Sequence, residues 1–290
     1  MFDRVLFPTD GSEAATAALE YVATLARAED ATLHVLNVAN TNRYSTVRIQ
    51  GSILDTLVED GEQIVDEAVE ELPTRELSVV TDVLQGVPDE VVLEYADHHD
   101  VDLIVMPTNG RRGLERFLLG SVTERVLRQS EVPVLTLRPG DGTTRAYPPE
   151  RVLVPTDGST GADAALDLGI DVVGSHGGGL RVLSVVDTET LGLDVRSEVQ
   201  IDELEGNADE VVSAAVERAE GAGVEDVSGE VRAGPSVADE ILEFVADAEV
   251  ELVVVGTHGR TGVERHLLGS VAEKLVRRSP VPVVTVRETE

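Results

Sequence analysis

Val254-Val255-Gly256-Thr257-His258-Gly259, followed further on by Gly269-Ser270, closes the apolar run 251–255, and a helical pattern over 267–278 opens around Gly269. Strand, glycine loop and helix start in this order are how a chain makes an anion cradle. Glycines let backbone N–H groups approach a phosphate without a Cβ in the way, and the free amides and dipole of a helix start favour negative charge. Ser270 adds a hydroxyl donor at the same end. The spacing is not the Walker pattern, which needs Gly-Lys-Ser/Thr, nor the Gly-x-Gly-x-x-Gly dinucleotide fingerprint.

Working outward, Val152-Leu153-Val154-Pro155-Thr156-Asp157-Gly158-Ser159 lies upstream and Ser279-Pro280-Val281-Pro282-Val283-Val284 ends the chain. The first of these blocks has a twin, Val5-Leu6-Phe7-Pro8-Thr9-Asp10-Gly11-Ser12, and Gly110 and Gly120 foreshadow Gly259 and Gly269. The repeat period is a whole domain, so the chain is a tandem duplication and not a solenoid. With 290 residues, each copy is large enough to bury its own core. In the first copy we read strands at 4–8, 32–38, 76–83, 103–106 and 133–137 and helices at 12–28, 52–72, 87–98 and 120–129, with 39–51 as a polar loop. The second copy repeats this order over 151–287. Residues 139–150, rich in Gly, Pro and Thr, read as a linker between domains at 1–138 and 151–290.

Strands alternating with helices predict an α/β fold: two doubly wound, Rossmann-like domains, each a five-stranded parallel sheet covered on both faces. Ligands of such sheets sit beyond the carboxyl ends of the strands where the winding reverses. The Pro-Thr-Asp block and the glycine loop end the first and fourth strands of each copy, which is where that reversal falls.

The blocks, in this order, closely resemble the ATP-binding signature of the universal stress protein family. The resemblance implies the strand order 3-2-1-4-5 of adenine nucleotide alpha hydrolase-like folds. It implies that Asp157, with Pro155 and Thr156, accepts from a ribose hydroxyl, whereas an Asp or Ser at a helix start is equally a cap; Ser159 is read as the cap. It implies that adenine is read by backbone groups at Val182, a residue that is at the same time a core valine. Gly256, Gly259, Gly269 and Ser270 are its phosphate residues, with Arg260 either a phosphate contact or a solvated loop residue. A weaker site in the first copy comprises Pro8, Thr9, Asp10, Val35, Gly110, Arg111, Gly120 and Ser121. There Met106-Pro107-Thr108-Asn109-Gly110 sets Pro107 where the second copy has Gly256, and proline has no N–H to offer. The expected ligand is ATP or another adenine nucleotide, with Mg²⁺ bound through its phosphates.

Neither His258 and His266 nor His98 and His99 form a metal-ligand set at diagnostic spacing, and cysteine is absent. No nucleophile and base pair stands out, so the expected role is an ATP-binding regulatory or stress-response protein with slow or no hydrolysis. Two other readings stay open: a dimerisation or interaction module that binds no nucleotide, and a slow ATP hydrolase or phosphotransferase. Acidic residues number 55 against 23 basic, a formal net charge of −32, spread over every segment. Such a surface suits a halophile's cytoplasm, where salt screens it, and disfavours nucleic acid and anionic membranes as partners. No apolar run is long enough to span a bilayer, so a soluble cytoplasmic protein is expected. The apolar last strands, 133–137 and 282–286, are edges that invite pairing of the two domains within the chain, or of chains with each other.

Overall fold

The computed structural model describes residues 1–40, 52–72, 77–108, 119–138, 147–189, 198–257 and 268–288, with the side chains of 52–56 and 198–202 excepted. The chain divides into two compact units, Met1–Pro148 and Pro149–Glu290. The first contains β1 (Arg4–Pro8), α1 (Glu13–Ala28), β2 (Thr32–Asn40), α2 (Ser52–Glu71), β3 (Ser78–Gly86), α3 (Pro88–His98), β4 (Leu103–Pro107), α4 (Ser121–Gln129) and β5 (Val134–Leu137). The second contains β6 (Arg151–Pro155), α5 (Thr160–His176), β7 (Gly179–Asp187), α6 (Glu198–Gly221), β8 (Asp226–Gly234), α7 (Val237–Asp247), β9 (Leu252–Gly256), α8 (Ser270–Arg278) and β10 (Val283–Val286).

Every pairing inside a unit is parallel, and the orders are β3-β2-β1-β4-β5 and β8-β7-β6-β9-β10. The expected 3-2-1-4-5 order is therefore found twice. The inner strands are short apolar runs because helices cover both their faces; all five residues of β4 are buried. Against these faces α1 sets Ala18, Leu19, Val22, Leu25 and Ala26, all at most 4% exposed. The second and third strands run beyond their expected ends, to Asn40 and Gly86, because β2 and β3 pair residue for residue over their whole length. The last helix starts at Ser270 and not at 267, since Gly269 is extended (φ −58°, ψ 145°) and serves as its N-cap. Tyr147, inside the stretch read as linker, is only 5% exposed, edge-on to Tyr21 with ring centroids 6.1 Å apart, and its hydroxyl donates to the buried Glu29 carboxylate.

A polar chain runs from the buried interior of the first unit to the half-buried Asp82 on β3. His34 of β2, 6% exposed, lies with Nδ1 2.9 Å from the Tyr95 hydroxyl, which donates to Asp82 Oδ2 at 2.6 Å. The hydroxyl has a single proton and gives it to the carboxylate, so His34 Nδ1 carries the hydrogen towards Tyr95. His99 stacks on Tyr95 with ring centroids 4.0 Å apart. Burial foremost, then the neighbouring His99, lower the His34 pKa from 6.5; Asp82 opposes them and Arg4 adds a small lowering. The unfolded chain then binds the proton more readily than the folded one. The contribution of His34 to stability is full above about pH 6.5 and declines as pH falls through that value towards the lower folded pKa. The urea midpoint of the first unit should drop on acidification through this range, and the His34→Gln variant should flatten that slope.

Candidate functional site

The octapeptide found twice is a strand-to-helix turn. Thr156 N–H extends the ladder by donating to Leu183 O at 2.8 Å. Thr156 Oγ1 then accepts from Gly158 N–H (3.2 Å), Asp157 Oδ1 from Ser159 N–H (3.0 Å) and Ser159 Oγ from Ala162 N–H (3.3 Å). Gly158 sits at φ 75°, a conformation that costs a side-chain-bearing residue, and Ser159 is the N-cap of α5. Thr9, Asp10, Gly11 and Ser12 build the same turn at 3.2, 3.1 and 3.2 Å, with Gly11 at φ 67°. Turn chemistry alone is thus a sufficient reason for the recurrence. Asp157 nevertheless remains half-exposed at the carboxyl end of the sheet, beyond buried Pro155 and Thr156.

The glycine segment leaves β9 and returns to it. Thr257 N–H donates to Val286 O and Gly269 N–H donates back to Thr257 O, both at 2.8 Å. These two bonds hold Thr257 and Gly269 together, and α8 begins beside them. Its N-cap, Gly269, has no side chain to offer, and its first intrahelical bond is Glu273 N–H to Gly269 O at 2.9 Å. The amides of its first turn therefore point out of the helix beside exposed Ser270. The first unit repeats the closure with Thr108, Leu137, Gly120 and Glu124, which sets Ser121 at the head of α4. The candidates Gly259 and Arg260, with His258 and His266, lie outside the described residues, as do Gly110 and Arg111.

Gly256 packs closely against a helix, the structural role open to any loop glycine. A Cβ there would lie 2.6 Å from both C and O of Gly161, so the end of β9 and the first turn of α5 pack backbone to backbone. The missing side chain makes room for a helix. Pro107 holds the same place in β4, opposite Leu137 as Gly256 is opposite Val286, and its carbonyl accepts from Thr123 Oγ1 at 3.1 Å.

Val182 and Val35 do not join the site. Val182 is wholly buried and paired on both sides, with Val154 and Gly229, and Val35 pairs likewise with Phe7 and Thr81. Their backbone groups are committed to the ladders. The pairing of β6 stops at Pro155 opposite Leu183 while β7 continues to Asp187, so the backbone that faces the site belongs to 184–187. The length of β7 carried that signal, but Val182-Leu183-Ser184-Val185 gives no mark of where a neighbouring strand ends.

The winding reverses between β6 and β9, which pair at Val152–Leu252 and Leu153–Val253. The Asp157 turn and the α8 start end these two neighbouring strands, with the Gly256–Gly161 contact between them. Beside Thr156 and Gly158 a groove of about 610 Å³ opens between α5 and α6, floored by Leu166, Val211 and Ala214. Arg218 reaches across it to Asp167 at 2.7 Å. The matching groove by Thr9 and Gly11 holds only about 30 Å³ and is lined by Glu67 and Glu71 at the positions of Ala214 and Arg218.

Comparison with known proteins agrees with this architecture. The universal stress protein family matches residues 1–138 and again 149–287. A universal stress protein of Methanocaldococcus jannaschii is 32% identical over 141 residues, 48% of this chain and 83% of the relative. One of Mycobacterium tuberculosis is 28% identical over 247 residues, 80% of this chain and 78% of the relative. The crystal structure of a universal stress protein from Archaeoglobus fulgidus covers 99% of this chain and 98% of its own, with a TM-score of 0.75 at 25% identity.

Proposed function

We propose, starting from the fact that this chain belongs to the universal stress protein family, that its second domain binds an adenine nucleotide, ATP foremost, and acts as a regulatory or stress-response protein. The observation that carries the reading is the meeting of two unlike ends at one switch point: a half-exposed carboxylate, Asp157, and the start of α8, whose N-cap is a glycine. A nucleotide has the complementary ends, a ribose with hydroxyl donors and a phosphate chain that wants N–H donors. Asp157 would accept from the ribose, and the first-turn amides of α8 with the Ser270 hydroxyl would donate to phosphate oxygens. Gly259 and Arg260 would add to the phosphate end, and the backbone of 184–187 would read the base. Mg²⁺, bound through the phosphates, would offset their charge in a protein of net charge −32.

The first domain is the weaker or vacant site in this reading. Its groove is small and lined by Glu67 and Glu71, which add negative charge where a polyanion would approach. Hydrolysis is slow or absent, and the nucleotide stabilises one conformation or assembly by mass action. Pairing of the two domains within the chain, motivated by the apolar sequences of their last strands, and a cytoplasmic location belong to the same proposal. The second reading, an interaction module without nucleotide, is favoured for the first domain by that small, acid-lined groove.

The turn geometry supplies a clean test. Asparagine at 157 can still accept the Ser159 N–H and keep the turn, but it lacks the charge. Calorimetric titration of the full chain with ATP·Mg²⁺ in concentrated KCl should show saturable binding, weakened about tenfold or more in Asp157→Asn with an unchanged melting point. Asp10→Asn should change little. No saturable binding to the folded chain would leave the interaction module as the reading, and steady phosphate release during the titration would make the protein a hydrolase.

A further inference from the structure

β3 is the outermost strand of the first domain's sheet. It pairs with β2 over nine residues, and among the described residues nothing pairs on its other side. Its outward N–H and C=O groups are a template for another strand, a hazard that sheets ordinarily guard with charge. The corresponding strand of the second domain, β8, is guarded. Asp226 is held by Arg181 at 2.9 and 3.0 Å, and Arg232 donates to Glu230 at 2.6 Å while lying 4.9 Å over Phe244.

The register shows what β3 has instead. Val80 pairs with His34 and Asp82 with Leu36; at the equivalent pairings β8 has Ser228 with Arg181 and Glu230 with Leu183. Leu84 accordingly stands where β8 has Arg232. Val80 and Leu84 are 38% and 39% exposed, two of the four large apolar side chains so exposed among the described residues. Strand alternation puts both on the face of Asp82, between them. Asp82 is the only charge on β3, and Tyr95 fixes its carboxylate in place without neutralising it. One edge of the duplicated fold is thus charged and self-satisfied, and the other presents apolar, acid, apolar at alternate positions beside a free backbone row.

We propose that the outer edge of β3 is a docking strand for another protein, which adds an extended segment of the pattern apolar–x–basic–x–apolar. Backbone bonds supply the pairing, and the side chains opposite Val80, Asp82 and Leu84 supply the choice. A second copy of this chain fits worse. The antiparallel register that sets Val80 against Leu84 also sets Asp82 against Asp82, between two chains of net charge −32.

The test uses the full chain and two labelled, end-capped peptides, Thr-Val-Thr-Arg-Thr-Val-Thr and the same peptide with Glu for Arg. Fluorescence anisotropy should show the Arg peptide binding, and the Glu peptide about fivefold weaker or worse. Amide exchange should slow along β3 and not along β8. Leu84→Lys and Val80→Lys, both at exposed positions, should each abolish binding and leave the melting point unchanged. Absence of binding by either peptide, equal binding of both, or protection elsewhere than β3 would overturn the proposal. Concentration-dependent self-association that Leu84→Lys removes would overturn it in favour of a second copy.

Discussion

Gly256→Ala is expected to destabilise the second domain by about 1–3 kcal/mol, the usual cost of forcing extra volume into a packed site. The new methyl group would meet the C and O of Gly161 at 2.6 Å. Both are backbone atoms at the first turn of α5, so no rotamer change relieves the contact and the helix has to move. Amide exchange on the full chain should show protection falling in β9 and α5, with β1 to β5 unaffected. A β-branched residue at 256 should cost more. An unchanged exchange pattern would mean that α5 can slide at no cost. Because Gly256 serves packing, its substitution cannot isolate nucleotide binding, and Asp157→Asn is the discriminating variant.

Removing one oxygen should have an effect of similar size in the first domain. Tyr147→Phe keeps the ring against Tyr21 but withdraws the hydroxyl donor from the Glu29 carboxylate, which is 9% exposed. Hydrogen bonds to buried charged groups contribute about 1.5–3 kcal/mol, and urea denaturation of the full chain should lose that much from the first domain. The same pair makes an alkaline prediction. Burial foremost, then the Glu29 bond and charge, push the Tyr147 hydroxyl well above its ordinary pKa of 10. Its contribution is therefore full below about pH 10 and is lost as pH rises beyond that value, since only the unfolded chain ionises there. Wild type should show this alkaline loss, and Tyr147→Phe should show less of it.

The sequence carried most of the fold because the duplication let each half check the other. Two copies of one octapeptide and two glycine pairs in the same order leave little freedom once helices and strands alternate. What stayed open in the sequence fell where a residue's role depends on its neighbours in space. Val182 reads as a core valine and as the place of backbone contact with adenine alike, and only the register with β6 shows that its backbone lies inside the ladder. Gly256 reads as a ligand contact or as close packing of a helix, and only Gly161, distant in sequence, shows the packing. Tyr147 sits in a stretch whose composition says linker, and a single buried carboxylate decides otherwise. Ser159 was legible as a cap because capping is local, a bond three residues long.

The contact between Gly161 and Gly256 also bears on how such a duplicated chain can change over generations. Ala14 and Pro107 occupy the equivalent places in the first half. A recombination event that carried the strand end of one half into the other without the matching helix start would set proline or another bulky residue against the backbone at Gly161. The two positions lie far apart in the gene yet behave as one heritable unit, so each half is expected to drift in its own direction and lose the ability to exchange parts with its twin.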